Sequence, residues 1–528
     1  MFSSQSRKST VITLSVLALC GGVSRLVFVR ETPINWDAVQ FQLALSHFDL
    51  SAHQPHPPGY ILYVFLGRVL NLMVDNSGLA LSFLSVLCSA LAVPLLYWLA
   101  LRIFDDEGVA VGATLLLLAS PLALFYGSVA LTYAPEMLLS IVVAGLAWKA
   151  RGKRDVPGTI MLGVALGVAG GIRQTSLVVL LPLCAWALWG ASRNRAAWFG
   201  ASLAATCILW LVPLLVMSGG LATYLHENAL LAQAVPARTS ILEAGAAGLG
   251  INITFEALAL ALGVAFAAIP LGLWALRVLN FSLAREVKSL LLWWVLPPLA
   301  LYAVSHVGQL GYLLVALPPF IILSAVCARV LADLWVKRQE SEAVPGRRPL
   351  QAGVLVCALL ALASVAYFTL AQGPTTAANI AQNDTHWKTL RSTLANTDPA
   401  NTVLIMSTGW DEPFRSAGYL LPEFHSYAAG EDNDGTFGWL YSTYDGQSTY
   451  KLPRPQTVQY LALPTGTRKV VALDQDIAER FSYNDTLECA TLADGSVVYI
   501  LQSKGEDITG LALRENRLQA VYSVAANR

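Results

Sequence analysis

In this 528-residue chain, Asn35-Trp36-Asp37 and His56-Pro57-Pro58-Gly59-Tyr60 are the residues whose types and spacing most strongly suggest chemistry. Two consecutive prolines fix an extended turn and Gly59 permits a tight backbone approach, so His56 is held in a set geometry. A carboxylate such as Asp37 can accept a proton, and an imidazole can give or take one. His47, Asp49 and His53 share that first connection between apolar runs. Tyr133 and Glu136 lie at another, Arg173 and Gln174 at a third, His226 and Glu227 at a fourth, and His306, Gln309 and Tyr312 at a fifth. Polar groups at the mouths of apolar segments are costly, and five connections converging in this way describe a cavity opening at one membrane face.

The elements that carry these residues follow from composition. Hydrophobic residues make up 55% and charged residues only 13% of the chain, and mean hydropathy is +0.56. Soluble chains carry about 25% charged residues, so much of this one must face lipid. Apolar stretches fall near 10–29, 79–101, 108–126, 130–148, 157–172, 175–191, 196–217, 253–276, 289–305, 308–331 and 350–371. About eleven transmembrane helices are expected. Arg7 and Lys8 precede the first run as in a secretion signal, but no small-x-small cleavage site follows, so it is read as an uncleaved first helix. With the N-terminus cytoplasmic, inner loops hold seventeen Lys and Arg residues against five outside: Arg25, Arg30, Arg68, Arg173 and Arg238. That asymmetry places the C-terminus outside the cytoplasm of a multi-pass inner (plasma) membrane protein.

Two domains are expected. Residues 1–372, with long outer loops at 30–78 and 218–250, form the membrane body, and Tyr60–Val74 reads as an amphipathic helix lying on the membrane. Residues 373–528 carry 12 basic and 18 acidic residues and read as an extracytoplasmic α/β domain. Its strands are expected at Thr402–Met406 and Val497–Leu501 and its helices at Trp387–Leu394 and Asp411–Leu420. Of seven cysteines, only Cys489 lies in this domain, so no disulfide forms within it, and no metal-type Cys spacing exists anywhere. Lys+Arg and Asp+Glu are 34 each, which excludes a polybasic nucleic-acid binder.

Trp36-Asp37 followed by His56-Pro57-Pro58-Gly59-Tyr60 and Gly67-Arg68 resembles the GT-C superfamily of membrane glycosyltransferases, which take sugars from polyprenyl-phosphate donors. Protein O-mannosyltransferases and the lipid A aminoarabinose transferase belong to it, and the pattern is most similar to a bacterial branch with eukaryotic O-mannosyltransferase relatives. Val129 to Glu136 (Val-Ala-Leu-Thr-Tyr-Ala-Pro-Glu) is similar to the second acidic outer-loop motif of that branch, and Gly311-Tyr312 with Leu317-Pro318-Pro319 resembles a late-helix motif. The resemblance covers the membrane body and stops short of the C-terminal domain. It implies transfer of a sugar, with inversion, onto the hydroxyl of an acceptor protein, lipid or glycan of the cell envelope at the outer face.

The residue types suit that reaction. The acceptor hydroxyl must lose a proton, and Asp37 can be the general base. Arg173 can hold the lipid phosphate with its fork of donors, and His56 can add a second contact. Glu136 either orients Asp37's partner or joins Asp37 in binding Mg²⁺ or Mn²⁺, since hard oxygen ligands plus a phosphate suit those ions. Gln174, Tyr133, His306 and Tyr312 complete the expected substrate-binding set.

Each residue has a plainer reading. Asp37 could be a solvated loop carboxylate or helix cap, Glu136 an acid favoured by a helix dipole, Arg173 an interfacial snorkeller, and His306 with Tyr312 an interface belt. The competing function classes are a transporter or lipid flippase and a non-catalytic envelope scaffold. Transporters commonly show paired repeats and ionisable groups near the midplane, whereas the polar groups here gather at helix ends.

Overall fold

The computed structural model describes residues 4–151, 155–234, 239–339, 348–407, 413–431, 437–442, 460–481, 487–492, 495–514 and 517–523. Lys153, Arg154, Arg238 and Arg347 of the charge asymmetry, and the first two residues of the helix expected at 411–420, lie outside them. In chain order the helices are α1 (Ser4–Leu26), α2 (Trp36–Ser46), α3 (Ile61–Val74), α4 (Ser77–Phe104), α5 (Glu107–Ala119), α6 (Pro121–Tyr126), α7 (Tyr133–Ala150), α8 (Val156–Ile172), α9 (Thr175–Ala187) and α10 (Arg193–Met217). There follow α11 (Leu221–Ala234), α12 (Ile241–Val264), α13 (Ala268–Ala275), α14 (Arg285–Val304), α15 (Leu317–Gln339), α16 (Arg348–Leu370), α17 (Ala377–Leu394), α18 (Pro413–Leu420) and α19 (Gln475–Ala478). The strands are β1 (Thr402–Ser407), β2 (His425–Glu431), β3 (Phe437–Ser442), β4 (Tyr460–Ala462), β5 (Lys469–Ala472), β6 (Leu487–Thr491), β7 (Val497–Gln502), β8 (Ile508–Arg514) and β9 (Arg517–Tyr522).

The chain divides into two compact units, residues 1–30 with 57–380, and residues 31–56 with 381–528. The later division falls at 380/381, against the expected 372/373. The first outer connection behaves differently: its segment 31–56, with Asp37 and His56, groups with the C-terminal residues, while Pro57 onward belongs to the helical unit.

The helical unit is a multi-pass membrane protein. Among the described residues, six helices are long and apolar enough to cross a membrane: Ser77–Phe104, Arg193–Met217, Ile241–Ala275, Arg285–Val304, Leu317–Val336 and Gln351–Leu370. Val11–Leu26, Glu107–Ala119, Val156–Ile172 and Thr175–Ala187 are shorter apolar helices, as is Ile61–Val74 where the amphipathic helix was expected. Helix starts are set locally, by Asn76, Asp106 and Asp155, whose side chains accept from the backbone N–H of Leu79, Val109 and Gly158. The Gly-rich helix α8 packs on α10 through its small residues. A Cβ at Gly163 would lie 2.2 Å from Ser202 Oγ, and one at Gly167 would lie 2.6 Å from Thr206 Cβ, so only glycine lets the two backbones approach this closely.

In the other unit, a six-stranded sheet has the order β3-β2-β1-β5-β7-β6, with β1 parallel to both β2 and β5 and the remaining pairs antiparallel. Alternation along β1 decides its two faces. Leu404 and Met406 meet Trp387, Leu390 and Leu394 of α17 and Phe414 and Ala417 of α18. Val403 and Ile405 meet a second core with Leu511 and Leu518 of the three-stranded sheet β4-β8-β9. The α/β reading of this region therefore holds, with its expected strands and helices found at 402–407, 497–502, 377–394 and 413–420.

Candidate active site

Two groups of the expected residues come together, one in each unit. In the helical unit, Glu136 sits in the first turn of α7 and Arg173 is the residue that ends α8 before α9 begins. Their side chains are buried, 1% and 4% exposed as whole residues, with Arg173 Nε 3.5 Å from Glu136 Oε2. The turn into α9 completes the arrangement. Ser176 Oγ donates to Glu136 Oε1 at 2.8 Å, Arg173 Nε donates to Thr175 Oγ1 at 3.2 Å, and Arg173 Nη1 donates to Thr132 Oγ1 at 3.3 Å. Charge pairing with hydrogen bonds on both partners is what allows two ions to be buried at all.

Aromatic rings enclose the pair. The Arg173 guanidinium lies 4.1 Å from the ring centre of Tyr312 and 4.8 Å from that of Tyr133, distances at which ring faces attract a cation. Tyr126 packs edge-on to Tyr133 at 4.8 Å, and Tyr302 edge-on to Tyr312 at 5.1 Å. Gly311 makes the Tyr133 contact possible, since a Cβ there would meet the Tyr133 ring at 2.4 Å. His306 is the outer member of the group, edge-on to Tyr312 at 6.3 Å with Nδ1 2.7 Å from Thr239 Oγ1. Gln174 Nε2 donates to Pro58 O at 3.2 Å, which ties the second proline of the His-Pro-Pro turn to the start of α9.

In the other unit, Asn35 caps α2 by accepting from Ala38 N at 3.0 Å, and Asp37 stands in that helix's first turn. His56 Nδ1 is 3.8 Å from Asp37 Oδ1, and their side chains are 12% and 30% exposed. The His56 ring is tilted over Phe41 at 5.3 Å, one helical turn along α2 from Asp37. Arg415 of α18 is fully buried and donates through Nη2 to Ala52 O at 2.8 Å. Burial, with the charges of His56 and Arg415, pushes the His53 imidazole down to about 3.

The metal expectation meets a chemical obstacle in the helical unit. Glu136 already offers one oxygen to a guanidinium and the other to a hydroxyl. That donor set fits a fixed counter-ion for Arg173 better than a ligand for Mg²⁺ or Mn²⁺. Among the described residues no group of three or more His, Cys, Asp or Glu gathers.

Several residues of these groups were not among those singled out from the sequence. Thr132, Thr175 and Ser176 hold the ion pair, and Ser176 was signalled only by its place two residues beyond Gln174. Asn252, inside an apolar span, donates to Thr239 O and Ala303 O and accepts from Val307 N, bracing the segment that carries His306. Arg25, counted among the exposed outer charges, is buried and donates to the carbonyls of Leu117 and Leu118 at the end of α5, where the helix C-terminus favours a cation.

The architecture matches solved structures. ArnT from Cupriavidus metallidurans bound to undecaprenyl phosphate superposes with a TM-score of 0.54 at 13% identity, covering 93% of this chain and 97% of that one. The chain shares the fold of that ArnT. The apo state of that ArnT gives a TM-score of 0.50 at 12% identity over 94% of this chain and 98% of that one. Residues 46–196 of this chain match the family model of the protein O-mannosyl-transferase TMEM260 N-terminal domain. That segment contains His56, Tyr133, Glu136, Arg173 and Gln174, but ends short of His306 and Tyr312 and begins after Asp37. No curated protein is significantly similar to the chain in sequence.

Proposed function

We propose that the protein is a membrane glycosyltransferase that moves a sugar from a polyprenyl-phosphate donor to an acceptor hydroxyl on the outer face of the membrane, with inversion. The observation that carries this reading is the Arg173 cluster on a GT-C fold. Arg173 engages its neighbours through Nε and Nη1, and a guanidinium fixed in this way can present Nη2 to an incoming phosphate. Glu136 cannot compete for the phosphate, and it balances the guanidinium before the donor arrives. Rings of Tyr133 and Tyr312 fix the plane of the fork. A pre-oriented cation of this kind stabilises charge as it develops on the leaving phosphate without reorganising. Undecaprenyl phosphate on the similarly folded ArnT supports a lipid phosphate as the ligand class.

In this mechanism Asp37 takes the proton of the acceptor hydroxyl as its oxygen attacks the anomeric carbon, and the bond from that carbon to the phosphate oxygen breaks. The leaving group departs as polyprenyl phosphate. His56, beside Asp37, orients the carboxylate or adds a phosphate contact. The sugar is a hexose or pentose, and the acceptor a protein, lipid or glycan. A flippase would move the same lipid without breaking that bond. The test is to incubate purified protein with polyprenyl-phosphate sugars and an envelope extract and to measure free polyprenyl phosphate. Release that depends on the protein is expected. Transmembrane movement of intact donor without any release would replace this reading by the transport one.

A further inference from the structure

The residues that approach the Asp37–His56 pair are gripped by one buried side chain of α18. Arg415 is 0% exposed. Its Nη2 donates to Ala52 O at 2.8 Å and lies 3.5 Å from His53 O, in the turn that leads into His56. Its guanidinium carbon lies 5.8 Å from the ring centre of Trp36, the residue before Asp37, and the neighbouring Phe414 ring lies 6.3 Å from the same indole. One planar group thus meets the chain just ahead of each member of the pair. The turn it grips is closed by paired backbone bonds between Asp49 and Gln54 at 2.7 and 2.8 Å. Thr32 Oγ1 donating to Asp384 Oδ1 at 2.6 Å and Asn383 Nδ2 donating to Pro33 O at 3.0 Å fasten the start of the segment to α17.

Burying a guanidinium is expensive, and simple packing on Trp36 would be met by an aliphatic side chain. What an aliphatic side chain cannot supply is a donor on the 52–53 carbonyls together with a cation over the indole. Asp37 and His56 are 3.8 Å apart, and Arg415 meets the chain next to the backbone that carries each of them. We propose that Arg415 is a positioning residue for the Asp37–His56 pair, so that α18 helps to set the geometry of proton removal. This rests on the reading of Asp37 as the base.

The experiment uses the full-length protein in nanodiscs, with Arg415→Met, Arg415→Lys and Asp37→Asn. A displacement of about 1 Å at a reacting group costs up to about a hundredfold. Arg415→Met is therefore expected to lower kcat about 10- to 100-fold, with KM for donor and acceptor within twofold of native. Arg415→Lys is expected to recover part of that loss, because an ammonium can reach Ala52 O but cannot present a flat face to Trp36. Amide hydrogen exchange, which does not depend on activity, is expected to speed up at His53 and Gln54 in both variants, more in Arg415→Met. Native kcat in Arg415→Met, a change confined to KM, or unchanged exchange at His53 and Gln54 overturns the proposal. Should Arg415→Met not fold, the Arg415→Lys kcat and exchange decide by the same criteria. If Asp37→Asn turns over at the native rate, the base assignment falls instead, and the exchange rates alone decide whether Arg415 clamps the turn.

Discussion

The ion pair of the helical unit and the Asp37–His56 pair each set a carboxylate beside a nitrogen side chain, but they are built in opposite ways. Glu136 and Arg173 are buried, joined by hydroxyls from Thr132, Thr175 and Ser176 and roofed by two tyrosine rings. Asp37 and His56 are partly exposed, farther apart, and stand on a helix start and a turn fixed by Arg415. A group that holds a phosphate gains from permanent charge and rigidity, whereas a group that removes a proton must meet solvent and be free to change protonation state. In the proposed mechanism, this difference in burial divides the labour between binding and proton transfer.

The contrast breaks most visibly at Glu136. Glu136→Leu leaves a buried guanidinium without its counter-ion and should cost about 3–5 kcal/mol, read as a large fall in melting temperature. The double variant Glu136→Leu with Arg173→Met should recover most of it, because the isolated charge is gone. Glu136→Gln should not be rescued by added Mg²⁺ or Mn²⁺, and rescue would instead return Glu136 to the role of metal ligand. Arg173→Lys keeps the charge and loses the fork, so donor affinity should drop by about 1.5–3 kcal/mol, the worth of a hydrogen bond to a charged group. A donor-binding titration in which Arg173→Lys matches native would remove the phosphate assignment.

The smaller effect lies in pH. His53 is held neutral down to about 3 by burial first and by His56 and Arg415 next, whereas in the unfolded chain it takes a proton near 6.5. Between those values the unfolded state binds more protons, so stability is lost as pH falls from about 6.5 toward 3 and is unaffected above 6.5. A few kcal/mol at most is involved. His53→Asn should flatten the fall in melting temperature between pH 7 and 4, and an unchanged slope would show that His53 takes no part in it.

Much of the helical unit was legible because lipid imposes a simple rule, long apolar runs, and the polar exceptions at Glu136, Arg173 and Tyr312 were conspicuous against it. The strands expected at 402–406 and 497–501 were legible as short apolar runs, and each extends one residue further in the structure. What the sequence concealed is long-range. Nothing around Trp36 announces that its indole meets Phe414 and Arg415, so the segment 31–56 was assigned to the membrane body by its position in the chain. Ser176, Thr132 and Asn252 are ordinary residues of helix ends or spans whose partners lie 40, 41 and 51 positions away. Arg25 looked like one more outer charge because the carbonyls that receive it belong to α5.

The central claim, that Asp37 removes the acceptor proton while the helical unit holds the donor, is tested most directly by Asp37→Asn under single-turnover conditions. The variant keeps size and hydrogen bonding but cannot accept the proton, so release of polyprenyl phosphate from prebound donor should slow by about 10²- to 10⁴-fold while donor binding stays at the native level. Release at the native rate would contradict the account and take Asp37 out of the reaction.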